Sequence, residues 1–130
     1  MAAPKKIVIV EDEPDTAEMF AEMMRLNGYQ VRKAFGSRQA MTLISRENPD
    51  AVMLDIMMPD VSGLEVLHYM RRDPQLSQTP VIVISAKSLP SDIKTGLEAG
   101  ANAYLTKPVS YLDLKKTVDS LIKENQGRTQ

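Results

Sequence analysis

The chain has 130 residues, a formal net charge of −1 and no cysteine. This length fits one domain with its own core, and the near-neutral charge gives no basic field that would attract nucleic acid or an anionic membrane. The missing cysteine excludes disulfides and thiolate metal sites. Because no apolar run approaches the length of a membrane-spanning helix, we expect a cytoplasmic protein that binds neither membrane nor nucleic acid directly.

In chain order, five apolar runs alternate with five helical patterns. Most of the runs are short, and the first and the fourth consist wholly of β-branched residues, which is typical of strands buried on both faces of a sheet. The second run has mixed polarity, which favours an edge position. The predicted strands are Ile7–Val10, Tyr29–Ala34, Ala51–Leu54, Val81–Ile84 and Ala103–Leu105.

Helix signals separate these strands. Pro14 suits the start of the first helix, Ser37 and Ser62 can cap the second and third, and Gly100 ends the fourth. Apolar residues of the last helix recur at helical spacing, at Leu114, Val118, Leu121 and Ile122.

This alternation indicates a parallel sheet covered by helices on both faces, that is, a doubly wound α/β domain. We expect the domain to cover residues 1–123 and residues 124–130 to form a polar tail or the start of a linker. In such folds the ligand site lies outside the carboxyl ends of the strands. Those strand ends are therefore where functional residues are expected.

Charged and polar residues follow four of the predicted strands: Glu11 and Asp12 the first, Asp55 the third, Ser85 the fourth and Lys107 the fifth. Three converging carboxylates repel one another, and Mg²⁺ removes this cost because it prefers oxygen ligands. A carboxylate can also be a nucleophile that forms an aspartyl-phosphate. Asp55 is the best candidate because it ends a central strand, while Lys107 and Ser85 could stabilise a transferring phosphoryl group.

Taken together, these residues resemble the receiver domain of two-component response regulators. The resemblance covers nearly the whole chain, with its motifs in the receiver order. It implies a flavodoxin-like (βα)5 fold with strand order 2-1-3-4-5. The stretches that carry it are Glu11-Asp12, Asp55–Gly63, Ser85-Ala86 and Tyr104–Pro108.

The resemblance also implies roles for single residues. Asp55 would accept a phosphoryl group from a phosphohistidine on a histidine kinase or a histidine phosphotransfer protein. Asp12, Asp55 and the Met57 backbone carbonyl would bind Mg²⁺ directly. Glu11 would act through a bound water, although aspartate is commoner at its position.

Two switch residues follow from the same likeness. Ser85 would move toward the phosphoryl group, and Tyr104 would swing inward. The surface of the fourth helix, fifth strand and last helix would then dock an effector or a second copy. Such a domain is a signalling module rather than an enzyme, although it can assist its own phosphorylation and dephosphorylation. A cis Lys107-Pro108 bond is also implied.

Other interpretations predict different sequences. A flavodoxin-like cofactor binder needs a glycine- and hydroxyl-rich loop after the first strand, and a nucleotide hydrolase needs a Gly-rich loop ending in Lys-Ser/Thr. A phosphatase of the haloacid dehalogenase type needs aspartate where Met57 stands. The alternative that stays open is a degenerate receiver, a protein-binding or dimerisation module that works without phosphate. The intact set of Asp12, Asp55, Ser85 and Lys107 favours phosphorylation.

Overall fold

In the computed structural model, which describes residues 3–128, strands and helices alternate along the chain. The strands are β1 (Lys6–Val10), β2 (Gln30–Ala34), β3 (Ala51–Leu54), β4 (Val81–Ser85) and β5 (Ala103–Thr106). The helices are α1 (Pro14–Leu26), α2 (Ser37–Glu47), α3 (Gly63–Arg72), α4 (Pro90–Glu98) and α5 (Tyr111–Arg128).

The strands form one parallel sheet in the order β2-β1-β3-β4-β5. In its centre Ile7 pairs with Ala51 and Val10 with Leu54, so that β1 and β3 end at the same level. The doubly wound fold, the strand order and the edge position of β2 are therefore confirmed. Because all five strands run the same way, their carboxyl ends form a single rim.

The two faces of the sheet bury separate cores. Side chains alternate between the faces of a strand, and in β1 Val8 points to the core shared with α2 and α3. Its neighbour Ile9 points to the core shared with α1 and α5. This explains why the central strands carry runs of consecutive apolar residues instead of apolar residues at alternate positions.

Helix α3 begins as the sequence predicts, but α2 does not. The Ser62 hydroxyl oxygen accepts the N–H of Leu64 at 3.2 Å and caps α3. At α2 the predicted cap, Ser37, is wrong, because Gly36 takes the cap position and Ser37 is the first helical residue. The Asp60 carboxylate, from the loop before α3, accepts the Ser37 N–H at 3.0 Å. A carboxylate from elsewhere in the chain thus satisfies this helix end.

The last helix is longer than the sequence predicts. It continues to Arg128, past residue 123, where we expect the domain to end, and residues 129–130 lie outside the described range. The boundary itself stays a prediction.

The Lys107-Pro108 bond is cis, as the resemblance implies. None of the helices in the described part of the chain is apolar over a length that could cross a membrane.

Candidate functional site

The predicted site residues meet at the carboxyl rim of the sheet. Asp55 follows β3, the central strand, and its N–H donates to the Val10 carbonyl of β1 at 3.0 Å. The acidic pair Glu11 and Asp12 follows β1, and Lys107 follows β5. Lys107 is 96 positions from Glu11 along the chain, and the parallel topology alone brings them together.

Three carboxylates form a compact cluster at this rim. Oxygen atoms of Glu11, Asp12 and Asp55 all lie within 4.8 Å of one another. Glu11 is 3% exposed and Asp55 7%, whereas Asp12 is half-buried. Because water reaches two of the three poorly, their mutual repulsion is weakly screened.

Lys107 is the cation that this cluster contacts. Its Nζ lies 2.7 Å from Glu11 Oε1 and 2.9 Å from Asp55 Oδ2. Burial acts to lower the pKa of Lys107, but its hydrogen bonds to the two carboxylates outweigh burial and raise the pKa. The pKa of Glu11 is raised, because its burial and the nearby Asp55 charge outweigh the hydrogen bond from Lys107. One ammonium offsets one of three carboxylates, so two formal negative charges remain in excess.

The cluster fits a small divalent cation. Mg²⁺ prefers oxygen ligands, takes only a few of them from the protein and keeps several waters. Glu11, Asp12 and Asp55 supply oxygen donors within reach of a single ion, and the excess negative charge favours its binding. The residues predicted to hold the metal are thus brought together. The role of the Met57 carbonyl stays a prediction.

The loop after β3 is fitted closely around Asp55. The Met57 N–H donates to Asp55 Oδ1 at 2.9 Å, so Asp55 is held by this amide on one oxygen and by Lys107 on the other. A Cβ atom on Gly63 would lie 2.4 Å from the Asp55 carbonyl oxygen and 2.7 Å from Ile56 Cα. Both are backbone atoms, so only glycine lets α3 begin here. From the sequence, Gly63 is only the last residue of the receiver-like stretch Asp55–Gly63, and no separate role is predicted for it.

Ser85 and Tyr104 are joined through the backbone of Lys87. Ser85 is fully buried at the end of β4, and its Oγ accepts the Lys87 N–H at 3.2 Å. The Tyr104 hydroxyl donates to the Lys87 carbonyl at 2.7 Å. Burial raises the pKa of Tyr104, with Ser85 opposing it. The residues predicted as switch residues therefore hold the same short segment, a link through main-chain atoms that no sequence motif reveals.

Known proteins share this arrangement of elements. A family model described as the response regulator receiver domain matches residues 7–119. The probable transcriptional regulatory protein TcrX of Mycobacterium tuberculosis is 37% identical over 121 residues, which are 92% of this chain and 50% of TcrX. The chain therefore spans about half the length of that relative. The polar-differentiation response regulator DivK of Brucella anthropi is 31% identical, and the match covers 92% of this chain and 97% of DivK.

A solved structure gives a similar result. The receiver domain of the sensor histidine kinase PA1611 from Pseudomonas aeruginosa superimposes with a TM-score of 0.86 at 29% identity. The match covers 93% of this chain and 99% of the other. That structure has a magnesium ion coordinated in its active site cleft.

Proposed function

Because this chain belongs to the response regulator receiver domain family, we propose that Asp55 accepts a phosphoryl group in a magnesium-dependent reaction. The observation that carries the proposal is the setting of Asp55. One carboxylate oxygen lies 2.9 Å from the Lys107 ammonium, and the other accepts the Met57 N–H. Two further carboxylates lie within the reach of a shared cation. A turn aspartate would also accept the N–H two residues on, but it would need neither the Lys107 ammonium nor two neighbouring carboxylates.

The donor is a phosphohistidine on a histidine kinase or a histidine phosphotransfer protein. An Asp55 oxygen forms the new O–P bond as the P–N bond breaks, and the electron pair of that bond stays on the imidazole nitrogen, which takes a proton from water. Lys107, already beside Asp55, then contacts a phosphoryl oxygen. The Ser85 hydroxyl supplies a second donor.

The metal is assigned to the acid cluster. Asp12, Asp55 and the Met57 backbone carbonyl would hold Mg²⁺ directly, and Glu11 would hold it through water. When bound, Mg²⁺ supplies positive charge that offsets the carboxylates and the phosphoryl oxygens. Related proteins support this assignment, since the Pseudomonas receiver has magnesium in its cleft. The carboxylate oxygens of this chain lie close enough together for the same ion.

The phosphorylated domain signals through α4, β5 and α5. Large apolar side chains are exposed here: Leu89, the residue before α4, is 65% exposed, Leu97 of α4 45% and Leu112 of α5 72%. Such side chains suit a surface that binds a downstream effector or a second copy of the chain. Phosphorylation changes the charge at the rim, and Ser85 and Tyr104 transmit the change to this surface.

In this proposal the chain is a signalling module that assists its own phosphorylation and dephosphorylation. Its cytoplasmic location stays a prediction from the sequence.

The test uses acetyl phosphate as a small phosphodonor. With Mg²⁺, the wild-type protein is expected to gain one base-labile phosphoryl group by intact-mass measurement, and Asp55→Asn is expected to gain none. Asp113→Asn, which changes an exposed aspartate of α5, serves as the matched control and labels like the wild type. Equal labelling of Asp55→Asn would remove Asp55 from the acceptor role. If no protein is labelled, the domain is the phosphate-independent binding or dimerisation module.

A further inference from the structure

We propose that Gly96 is a positioning residue for Tyr104: the space left by its missing side chain is where the Tyr104 ring lies. The inference rests on the proposed function only where it treats Tyr104 as a switch residue. The contact between Gly96 and Tyr104 is made by α4 and β5, and Asp55, the proposed acceptor, takes no part in it.

The contact is close. A Cβ atom on Gly96 would lie 2.8 Å from Tyr104 Cδ2 and 3.0 Å from Cε2. Both atoms belong to a rigid ring, so one of them cannot move aside without the whole ring. Any side chain at position 96 therefore displaces the Tyr104 ring or pushes α4 away from the sheet.

The helix itself gives no reason for glycine at this position. Gly96 has helical backbone geometry, which every residue type adopts, in contrast to Gly100 with its φ of +114°. A glycine inside a helix costs about 1 kcal/mol relative to alanine. Within α4, all of which the structure describes, Gly96 is the buried residue. Its contact with Tyr104 thus accounts both for the glycine and for the way α4 lies on β5.

The position of the ring decides what the Tyr104 hydroxyl can reach. In this structure it donates to the Lys87 carbonyl at 2.7 Å, and the Lys87 N–H donates to Ser85 at 3.2 Å. A ring displaced from Gly96 moves its hydroxyl away from the Lys87 carbonyl, and the segment after Ser85 loses one of these two hydrogen bonds. Gly96 therefore sets how firmly Tyr104 holds this segment.

Fluorine NMR on protein labelled with 3-fluorotyrosine tests the inference without a phosphodonor. The sequence has four tyrosines, and the variant Tyr104→Phe identifies the Tyr104 signal. In Gly96→Ala this signal is expected to move toward its position in the unfolded protein. The matched control, Thr95→Ala, introduces alanine at the neighbouring, exposed position of α4. It is expected to leave the Tyr104 signal unchanged. An unmoved Tyr104 signal in Gly96→Ala would overturn the proposal.

The same spectra separate repositioning from a general loss of structure. Tyr29 lies at the other edge of the sheet, where its hydroxyl donates to Asp119, and its signal should stay in place. If Gly96→Ala does not fold, the double variant Gly96→Ala/Tyr104→Ala must restore folding, because the displaced ring is gone. Failure of the double variant to fold would also overturn the proposal, provided that Tyr104→Ala alone folds.

Labelling by acetyl phosphate, measured on the same samples, keeps the two proposals apart. If the wild type takes no phosphoryl group, the proposed function fails, and the NMR comparison still decides whether Gly96 positions Tyr104. If the wild type is labelled and Gly96→Ala leaves Tyr104 in place, only the inference about Gly96 fails.

Discussion

The central region of the molecule, β1, β3, β4 and α3, is packed differently from the β5 region, which consists of β5 and α4. Every residue of β3 and of β4 is buried, whereas every residue of β5 is only half-buried. Helix α3 buries four residues, and α4 buries Gly96 alone. The carboxylates of the acceptor site thus stand on the well-packed region, whereas two of the three elements that we propose for signalling, α4 and β5, form the other.

This difference suits the chemistry of each region. Three carboxylates can be held close together only where the backbone beneath them is fixed, and the buried strands β1 and β3 provide that support. Lys107 reaches them from the end of β5. An element that changes position must lose few buried contacts when it moves, and α4 has few to lose.

The largest expected effect is on stability, and it should separate α3 from α4. Leu67→Ala removes a fully buried side chain of α3 and should lower the free energy of unfolding by about 2–5 kcal/mol. Leu97→Ala makes the same change at an exposed position of α4 and should change it by no more than about 0.5 kcal/mol. Urea denaturation measures both. Equal losses would show that the two helices are packed alike.

Two glycine substitutions sharpen the comparison further. Gly63→Ala brings a Cβ atom against the backbone of Asp55 and Ile56. It should lower the free energy of unfolding by about 1–3 kcal/mol, and it should also reduce labelling by acetyl phosphate. Gly96→Ala meets a side chain that can turn away, and gains helix propensity. We therefore expect Gly96→Ala to be the more stable of the two variants in urea. The reverse order would mean that Tyr104 is fixed as firmly as the acceptor loop.

A smaller, pH-dependent effect on stability is expected where α5 contacts the residues just before β2, at the edge of the sheet opposite β5. Asp119 of α5 accepts hydrogen bonds from Asn27 at 2.8 Å, from Tyr29 and from Lys115 at 2.9 Å. Burial acts to raise the pKa of Asp119, but these three bonds outweigh it and hold the pKa below its usual value. The folded protein therefore binds this proton more weakly than the unfolded chain does.

The ionised Asp119 carboxylate should stabilise the folded protein fully above the ordinary aspartate pKa of about 3.9. This stabilisation should disappear as the pH falls through the lower pKa of the folded state. At neutral pH we expect Asp119→Asn to lower the free energy of unfolding by about 1 kcal/mol. Denaturation of both proteins across this pH range measures the difference, which should shrink in acid. A difference that is independent of pH would contradict the assignment to the ionised carboxylate.

The sequence predicts the fold and the composition of the site for one physical reason. Alternating strands and helices force a parallel sheet, and a parallel sheet gathers its strand ends, so Asp12, Asp55 and Lys107 are placed together by topology alone. What cannot be predicted depends on side-chain packing across distant segments. That Lys107 bonds to Glu11 as well as Asp55, and that Asp60 occupies the N-terminus of α2, are contacts without a local signal.

The contact between Gly96 and Tyr104 belongs to the same class. A glycine in a helical pattern predicts a weak point or a helix end, and only the neighbouring strand shows what its missing side chain makes room for. The extension of α5 past residue 123 has another origin. Polar residues near a chain end are compatible with helix or coil, and composition does not decide between them.

The most direct test of the acid cluster is magnesium binding, measured by calorimetric titration. The wild-type protein is expected to bind Mg²⁺, and Asp12→Asn, which removes one carboxylate of the cluster, should bind it at least about tenfold more weakly. Asp15→Asn changes an exposed aspartate of the same acidic stretch, outside the cluster, and should keep the wild-type affinity. Wild-type affinity in Asp12→Asn would contradict a metal site formed by these carboxylates.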